Sequence, residues 1–97
     1  MRIEILDQAE RDLIEGFRFY EEQGVGLGSY FLTNLYADIE SLHIYAGIHS
    51  KPYKHYYRLL SRRFPFGIFY KISESTVFIH AVLDCRRNPA WIRGKLQ

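Results

Sequence analysis

The sequence predicts an α+β fold of order β-α-α-β-β-β, a helical hairpin packed on an antiparallel sheet. Three observations lead there. Two segments of the first half repeat apolar residues at helical spacing on either side of a glycine cluster. The second half alternates apolar and polar residues with period two, broken by polar turns. The chain is 97 residues long, which is room for a single domain over residues 1–97 with a modest core.

Taken in order, Arg2-Ile3-Glu4-Ile5-Leu6 alternates and predicts a short first strand. Asp7 followed by Glu10 has the form of a capping box, in which Asp7 accepts from the first amides of a helix. From Gln8 onward Ala9, Leu13, Phe17 and Tyr20 form an apolar stripe, with Glu10, Arg11, Glu15, Arg18 and Glu22 on other faces. Gly24-Val25-Gly26-Leu27-Gly28 ends that helix, since glycine readily takes the positive φ a helix end requires. A phosphate-loop reading of these glycines fails: no strand precedes them and no Gly-Lys-Ser/Thr follows. A second helix fits Ser29 to Tyr45, burying Phe31, Leu35, Ile39 and Leu42. Gly47 and Pro52 bracket a loop.

Strands over Tyr53–Arg63, Phe66–Ile72 and Thr76–Asp84 then pair as an antiparallel meander. The inward positions read as Phe66, Ile68, Tyr70 and Ile72 on one strand and Val77, Ile79, Ala81 and Leu83 on the next. Ser73-Glu74-Ser75-Thr76 supplies the turn between them. Arg87-Asn88-Pro89 ends the last strand, and Ala90–Gln97 is a short basic tail compatible with a helix.

Net charge is only +2, but it is unevenly spread. Residues 1–48 hold three arginines against nine acids, a balance of −6, and residues 49–97 hold ten Lys and Arg against two acids, a balance of +8. A basic half of this kind calls for an acidic partner, unless acidic helices simply lie beside a basic sheet. Arg58, Arg62, Arg63, Arg86 and Arg87, with Trp91, are the candidate contact residues, on a scaffold of strands that would hold them rigidly. The bland alternative pairs Arg58, Arg62 and Arg63 with Glu15, Glu21 or Glu22, and uses Arg86 or Arg87 to brace a strand end.

The single cysteine, Cys85, excludes an internal disulfide and fits a reducing cytosol. No apolar run approaches the roughly 20 residues of a membrane span, so the expectation is a cytoplasmic protein without membrane contact. Tyr70 reads as a strand core residue, and His80 as a structural histidine sharing a face with Phe78 and Val82. His49 and His55 have no cysteine or acid at ligand spacing, so neither a metal nor another cofactor is expected.

Across nearly its whole length the chain resembles the RelE/ParE superfamily of bacterial toxins from type II toxin–antitoxin systems. The residues that carry the likeness are Ala9 with Asp12-Leu13, Tyr20-Glu21, Gly26-Leu27-Gly28 with Phe31, Arg62 to Tyr70, and Ala81 to Pro89 with Trp91. The resemblance implies a small toxin restrained by a cognate antitoxin, a partner that charge would make acidic. One branch, RelE-like, cleaves messenger RNA on the ribosome; the other, ParE-like, poisons DNA gyrase without nuclease chemistry. A detoxified relative that binds nucleic acid or protein is a third course.

RNA cleavage requires groups that move protons and groups that stabilise phosphate charge. Arginine serves the second task well and the first poorly, because its pKa exceeds about 12. A nuclease of this superfamily would here use Arg58 and Arg87, but its third-strand arginine position holds Gly67, and no tyrosine follows Tyr70. Phe64 to Tyr70 and Arg86 to Trp91 look ParE-like. The expectation is therefore a gyrase-directed toxin with no catalytic residue, and a ribosome-dependent nuclease as the alternative.

Overall fold

Strands that alternate with period two need a partner on each edge and cover on each face, and the second half of the chain builds the centre of such a sheet. A computed structural model describes residues 1–97. Its elements are β1 (Arg2–Ile5), α1 (Asp7–Gln23), α2 (Leu27–Glu40), α3 (Leu42–Tyr45), β2 (Tyr57–Leu60), β3 (Phe66–Ser73), β4 (Thr76–Asp84) and α4 (Pro89–Lys95). They form an α+β fold around one four-stranded sheet of order β1-β4-β3-β2. The pairs β2–β3 and β3–β4 are antiparallel, as the meander requires. β1 lies parallel to β4, with Arg2 opposite Thr76 and Ile5 opposite Ile79, so the whole sheet is mixed rather than antiparallel. That pairing joins opposite ends of the chain, and no local pattern announces it.

α1 and α2 cover one face. Ala9, Leu13, Phe31, Leu35, Ile39 and Leu42, each at most 1% exposed, meet Ile68, Tyr70, Val77 and Ile79. Burying a side chain of this size stabilises by about 1.5–3 kcal/mol. Tyr20, Phe31, Phe64 and Phe66 form an edge-on aromatic group at one end of this layer. The helices approach closely at Gly16, where a Cβ would stand 2.5 Å from Phe31 Cζ.

The connection between them is pinned by Glu21, whose carboxylate accepts from Gly26 N at 3.1 Å and Gly28 N at 2.9 Å. Gly26 itself adopts φ +90. The expected Asp7 cap does not form: Leu6 is the N-cap without a side-chain bond, and Asp7 is already helical. Asp7 and Glu10 instead place negative charge in the first turn, where the helix dipole favours it. The second helix also breaks at Ser41, whose Oγ donates to the Asp38 carbonyl at 2.6 Å.

β4 does not keep one parity. Its register with β3 shifts between Phe69 and Tyr70, which face Ala81 and Ile79, leaving His80 as the extra residue of a β-bulge. One added residue exchanges the faces that follow it. Val77, Ile79 and Val82 therefore point to α1 and α2, while Ala81 and Leu83 pack with Phe69, Ile92 and Leu96 on the other side. The uninterrupted alternation expected for β4 does not survive this, and Val82 leaves the face that His80 was expected to share with it and Phe78. The second layer is α4, entered through Asn88, whose side-chain oxygen accepts from Ala90 N at 2.7 Å, with Pro89 at the start of the helix.

β2 is shorter than expected because Tyr53 and Tyr56 close their own tight turn, with Lys54 at φ 58. Tyr70 is fully buried, and its hydroxyl accepts from Gly47 N at 3.0 Å and meets His49 Nδ1, tying down the loop after α3. Burial pushes the His49 pKa below its ordinary value.

A Gly→Ala change in an exposed helix would stabilise by up to about 1 kcal/mol. At Gly16 the sign reverses: Gly16→Ala is expected to destabilise by about 1–3 kcal/mol in urea unfolding, because Phe31 must give way.

Candidate functional site

Leu60 lies opposite Gly67 and Phe66 opposite Asp84, so the end of β2, the start of β3 and the end of β4 meet at one end of the sheet. Ser61 N to Phe66 O and Cys85 N to Pro65 O, both 2.8 Å, carry the ladder past the strands. This end gathers all the candidate arginines, but on three separate surfaces.

Arg58 lies on the face away from α1 and α2. A Cβ on Gly67 would be 2.9 Å from Cys85 Sγ, 3.1 Å from Arg58 Cγ and 3.1 Å from Phe69 Cε2. Gly67 is thus the gap through which the Arg58 stem and Cys85 pass. Arg58 Nε is buried there without a hydrogen-bond partner. Burial pushes the Cys85 thiol pKa up, and the Arg58 charge only partly offsets this.

Arg62 and Arg63 are exposed on the α2 side, beside a shallow groove of about 410 Å³ that also takes in Asn34, Ser41 and Leu59. Asp38, buried in its floor, accepts from Ser61 Oγ at 2.7 Å and from Arg62 N at 3.4 Å. It therefore anchors the loop backbone rather than either guanidinium. The ion pairs of the molecule are Arg2–Glu4, His43–Glu40 and Arg86–Asp84. None joins Arg58, Arg62 or Arg63 to Glu15, Glu21 or Glu22, and Glu21 is committed to the amides of Gly26 and Gly28.

Arg86 and Arg87 divide two tasks. Arg86 grips Asp84 through Nε at 3.0 Å and Nη2 at 2.7 Å, and its backbone N donates to the same carboxylate at 2.9 Å. This fork braces the turn after β4. The hydrogen bonds from Arg86 hold the Asp84 carboxyl below the usual carboxylate range. Arg87 has no acid; its guanidinium carbon sits 4.0 Å from the Trp91 ring centre, with Lys95 Nζ at 5.5 Å.

Arg87, Trp91 and Lys95 form one wall of a cleft of about 370 Å³ between α1, the end of β4 and α4. Phe19, Phe66 and Val82 supply apolar surface, and Asp12 and Glu15 face the cations from α1. Asp12 is nearly buried: one carboxylate oxygen accepts from Val82 N at 3.0 Å and the other from Gln8 Nε2 at 2.7 Å. Burial raises its pKa, against those two hydrogen bonds. The cleft thus combines an aromatic face with Asp12, Glu15 and Asp84 on the acidic side and Arg87 and Lys95 on the basic side. No cluster of His, Cys, Asp or Glu in the molecule is placed to hold a metal ion.

The geometry joins Arg87 to Trp91, commits Arg86 to Asp84, sets Arg58 beside Cys85 and Gly67, and places Arg62 and Arg63 on the groove beside Asp38. Phe19, Asp12 and Lys95 were not among the sequence candidates. Asp12 entered only as one of the residues that carry the family resemblance.

A family model described as the ParE toxin of type II toxin–antitoxin systems, parDE, matches residues 3–89. The chain belongs to the ParE toxin family. The match spans β1 to the first residue of α4, so Trp91 and Lys95 lie beyond it. Among solved structures, a chain from "Chromosomal ParDE TA system from P. aeruginosa" is similar, with TM-score 0.72 and 16% identity over 84% of this chain and 92% of that one. At that identity the likeness is one of fold. No curated protein matches the chain. No helix is long and apolar enough to cross a membrane.

The lowered Asp84 pKa has a sign in stability. Its contribution is present above the unfolded aspartate pKa of about 3.9 and is lost as pH falls through the lower folded value. Urea unfolding measured from neutral to strongly acid pH is expected to show a steeper acid loss in the native chain than in Arg86→Met, where that depression is gone.

Proposed function

We propose that this ParE-family chain is a toxin that acts by occupying a protein target, DNA gyrase, and that a cognate acidic antitoxin neutralises it by covering the same basic and apolar surface. The observation that carries this reading is Gly67. The superfamily's nuclease branch would need an arginine there, but the space is filled by Cys85, Arg58 and Phe69, which leave no room even for a Cβ. Arg87 lines the cleft with Trp91 and Lys95, and Arg58 is not among the residues that line it. Inhibition of an enzyme by binding needs only a rigid patch with aromatic and arginine anchors, and such residues dominate interface energies.

On this reading Arg87 and Trp91 are the anchor of the target surface, held face to face by the cation–π contact. Arg62 and Arg63, exposed and without acid partners, and Arg58 beside Gly67 extend the basic surface an antitoxin would cover. Arg86 is structural, because Asp84 already satisfies its fork. The +8 balance of the second half makes association with an acidic antitoxin segment fast and sensitive to salt.

The purified chain should inhibit gyrase supercoiling and stabilise gyrase-linked DNA breaks, while leaving messenger RNA on programmed ribosomes intact. Arg87→Ala and Trp91→Ala should each raise the inhibitory concentration by about tenfold or more, the loss of an anchor worth roughly 1.4 kcal/mol. Cut messages with unimpaired gyrase would overturn the reading.

A further inference from the structure

The Tyr70 hydroxyl fixes the charge state of the loop that closes over it. Tyr70 is fully buried, and its oxygen has two partners, Gly47 N at 3.0 Å and His49 Nδ1. The Gly47 amide can only donate, so the hydroxyl accepts from it and has its own hydrogen left to place. His49 Nδ1 is the acceptor it meets. The imidazole is therefore neutral, with its hydrogen on Nε2. A proton added at Nδ1 would set two hydrogens against each other. The hydroxyl would then have to turn into the core, where a buried donor without an acceptor carries its full desolvation penalty.

The same loop closes an edge of the sheet. β2 is an edge strand, and the Arg58 N–H on its outer side donates at 2.9 Å to the carbonyl of Ser50, the residue next to His49. Lys51 Nζ then lies 4.4 Å from the ring centre of Tyr57, which stacks at 5.1 Å on Tyr70. One hydroxyl thus holds the loop at Gly47 and His49, and the loop covers the start of β2.

We propose that His49 is a proton-operated latch. While neutral it keeps residues 47–51 on Tyr70 and Ser50 on the outer edge of β2; on taking up a proton it releases them and bares the Arg58 N–H. The groups around the ring fit that role. Tyr70 on β3 and Tyr57 on β2 are phenols, and Lys51 of its own loop faces the Tyr57 ring. Lys54 and His55, further along the loop, are exposed. On α3, His43 is turned to Glu40 and the Met1 carbonyl, and Tyr45 is half-exposed. From Ser41 to Ser73 the chain has no carboxylate that could stabilise an imidazolium. Burial lowers the His49 pKa, and no neighbouring charge contributes. Because the closed-loop value lies below the open-loop value of about 6.5, closure is complete above that pH and is lost as pH falls toward the lower value.

Amide hydrogen exchange of the full chain, followed by NMR from about pH 7.5 to about pH 5 and corrected for intrinsic rates, tests the latch. Protection of the Gly47 and Arg58 amides should fall by up to about tenfold per pH unit below about 6.5, while the β3–β4 ladder amides keep theirs. The His49 nitrogen shifts at neutral pH should place the hydrogen on Nε2. His49→Asn, whose amide oxygen can accept the Tyr70 hydrogen but cannot titrate, should retain the neutral-pH protection and lose its pH dependence. Tyr70→Phe should leave Gly47 and Arg58 weakly protected at every pH. The proposal is overturned by hydrogen on Nδ1, by protection constant across the range, or by a parallel loss in the β3–β4 ladder. Native protection in Tyr70→Phe, or a pH dependence that persists in His49→Asn, would overturn it equally.

Discussion

Val82 donates its amide hydrogen to the Asp12 carboxylate at 3.0 Å, across 70 residues of sequence, in a site where both residues are buried. β1 pairs with β4 only as far as Ile79, and one further bond from Leu6 N to Ile79 O closes that ladder. Beyond it the β4 edge would face α1 with an unpaired donor, which costs about 1–3 kcal/mol when buried. Asp12 satisfies that donor, and Gln8 satisfies the second carboxylate oxygen. The bond fixes α1 against the outer length of β4, and the cleft under Trp91 exists because the two are held there.

The bulge at His80 works with that bond. It turns Val82 toward the helices and frees Ala81 and Leu83 to receive α4 on the opposite face. A sheet of four short strands is thereby covered on both sides by a chain of modest length.

Much of this was legible in the residues. Phe31, Leu35, Ile39 and Leu42 recur at helical spacing and are all buried, and α1 ends at the glycine cluster, although its C-cap Gly24 is extended and the positive φ falls on Gly26, the N-cap of α2. What was not legible was non-local. Parallel pairing of β1 with β4 joins the two ends of the chain, and neither strand records it. The alternation Val77, Ile79, Ala81, Leu83 looked unbroken because a bulge carries no obligatory glycine or proline. The alternative pairing of Arg58, Arg62 and Arg63 with Glu15, Glu21 or Glu22 does not form, and Glu21 is spent instead on the amides of Gly26 and Gly28. Of the site, Arg87 and Trp91 stood out by type and position, whereas Asp12, Phe19 and Lys95 meet them only through the fold.

Amide hydrogen exchange at Val82 tests the dependence on Asp12 most directly. If the buried bond holds α1 to β4, the Val82 amide exchanges with the slowest group in the protein, alongside the ladder amides of β3, although no strand pairs with it on that side. Exchange as rapid as that of a fully exposed loop residue such as Val25 would contradict this, and with it the origin of the cleft.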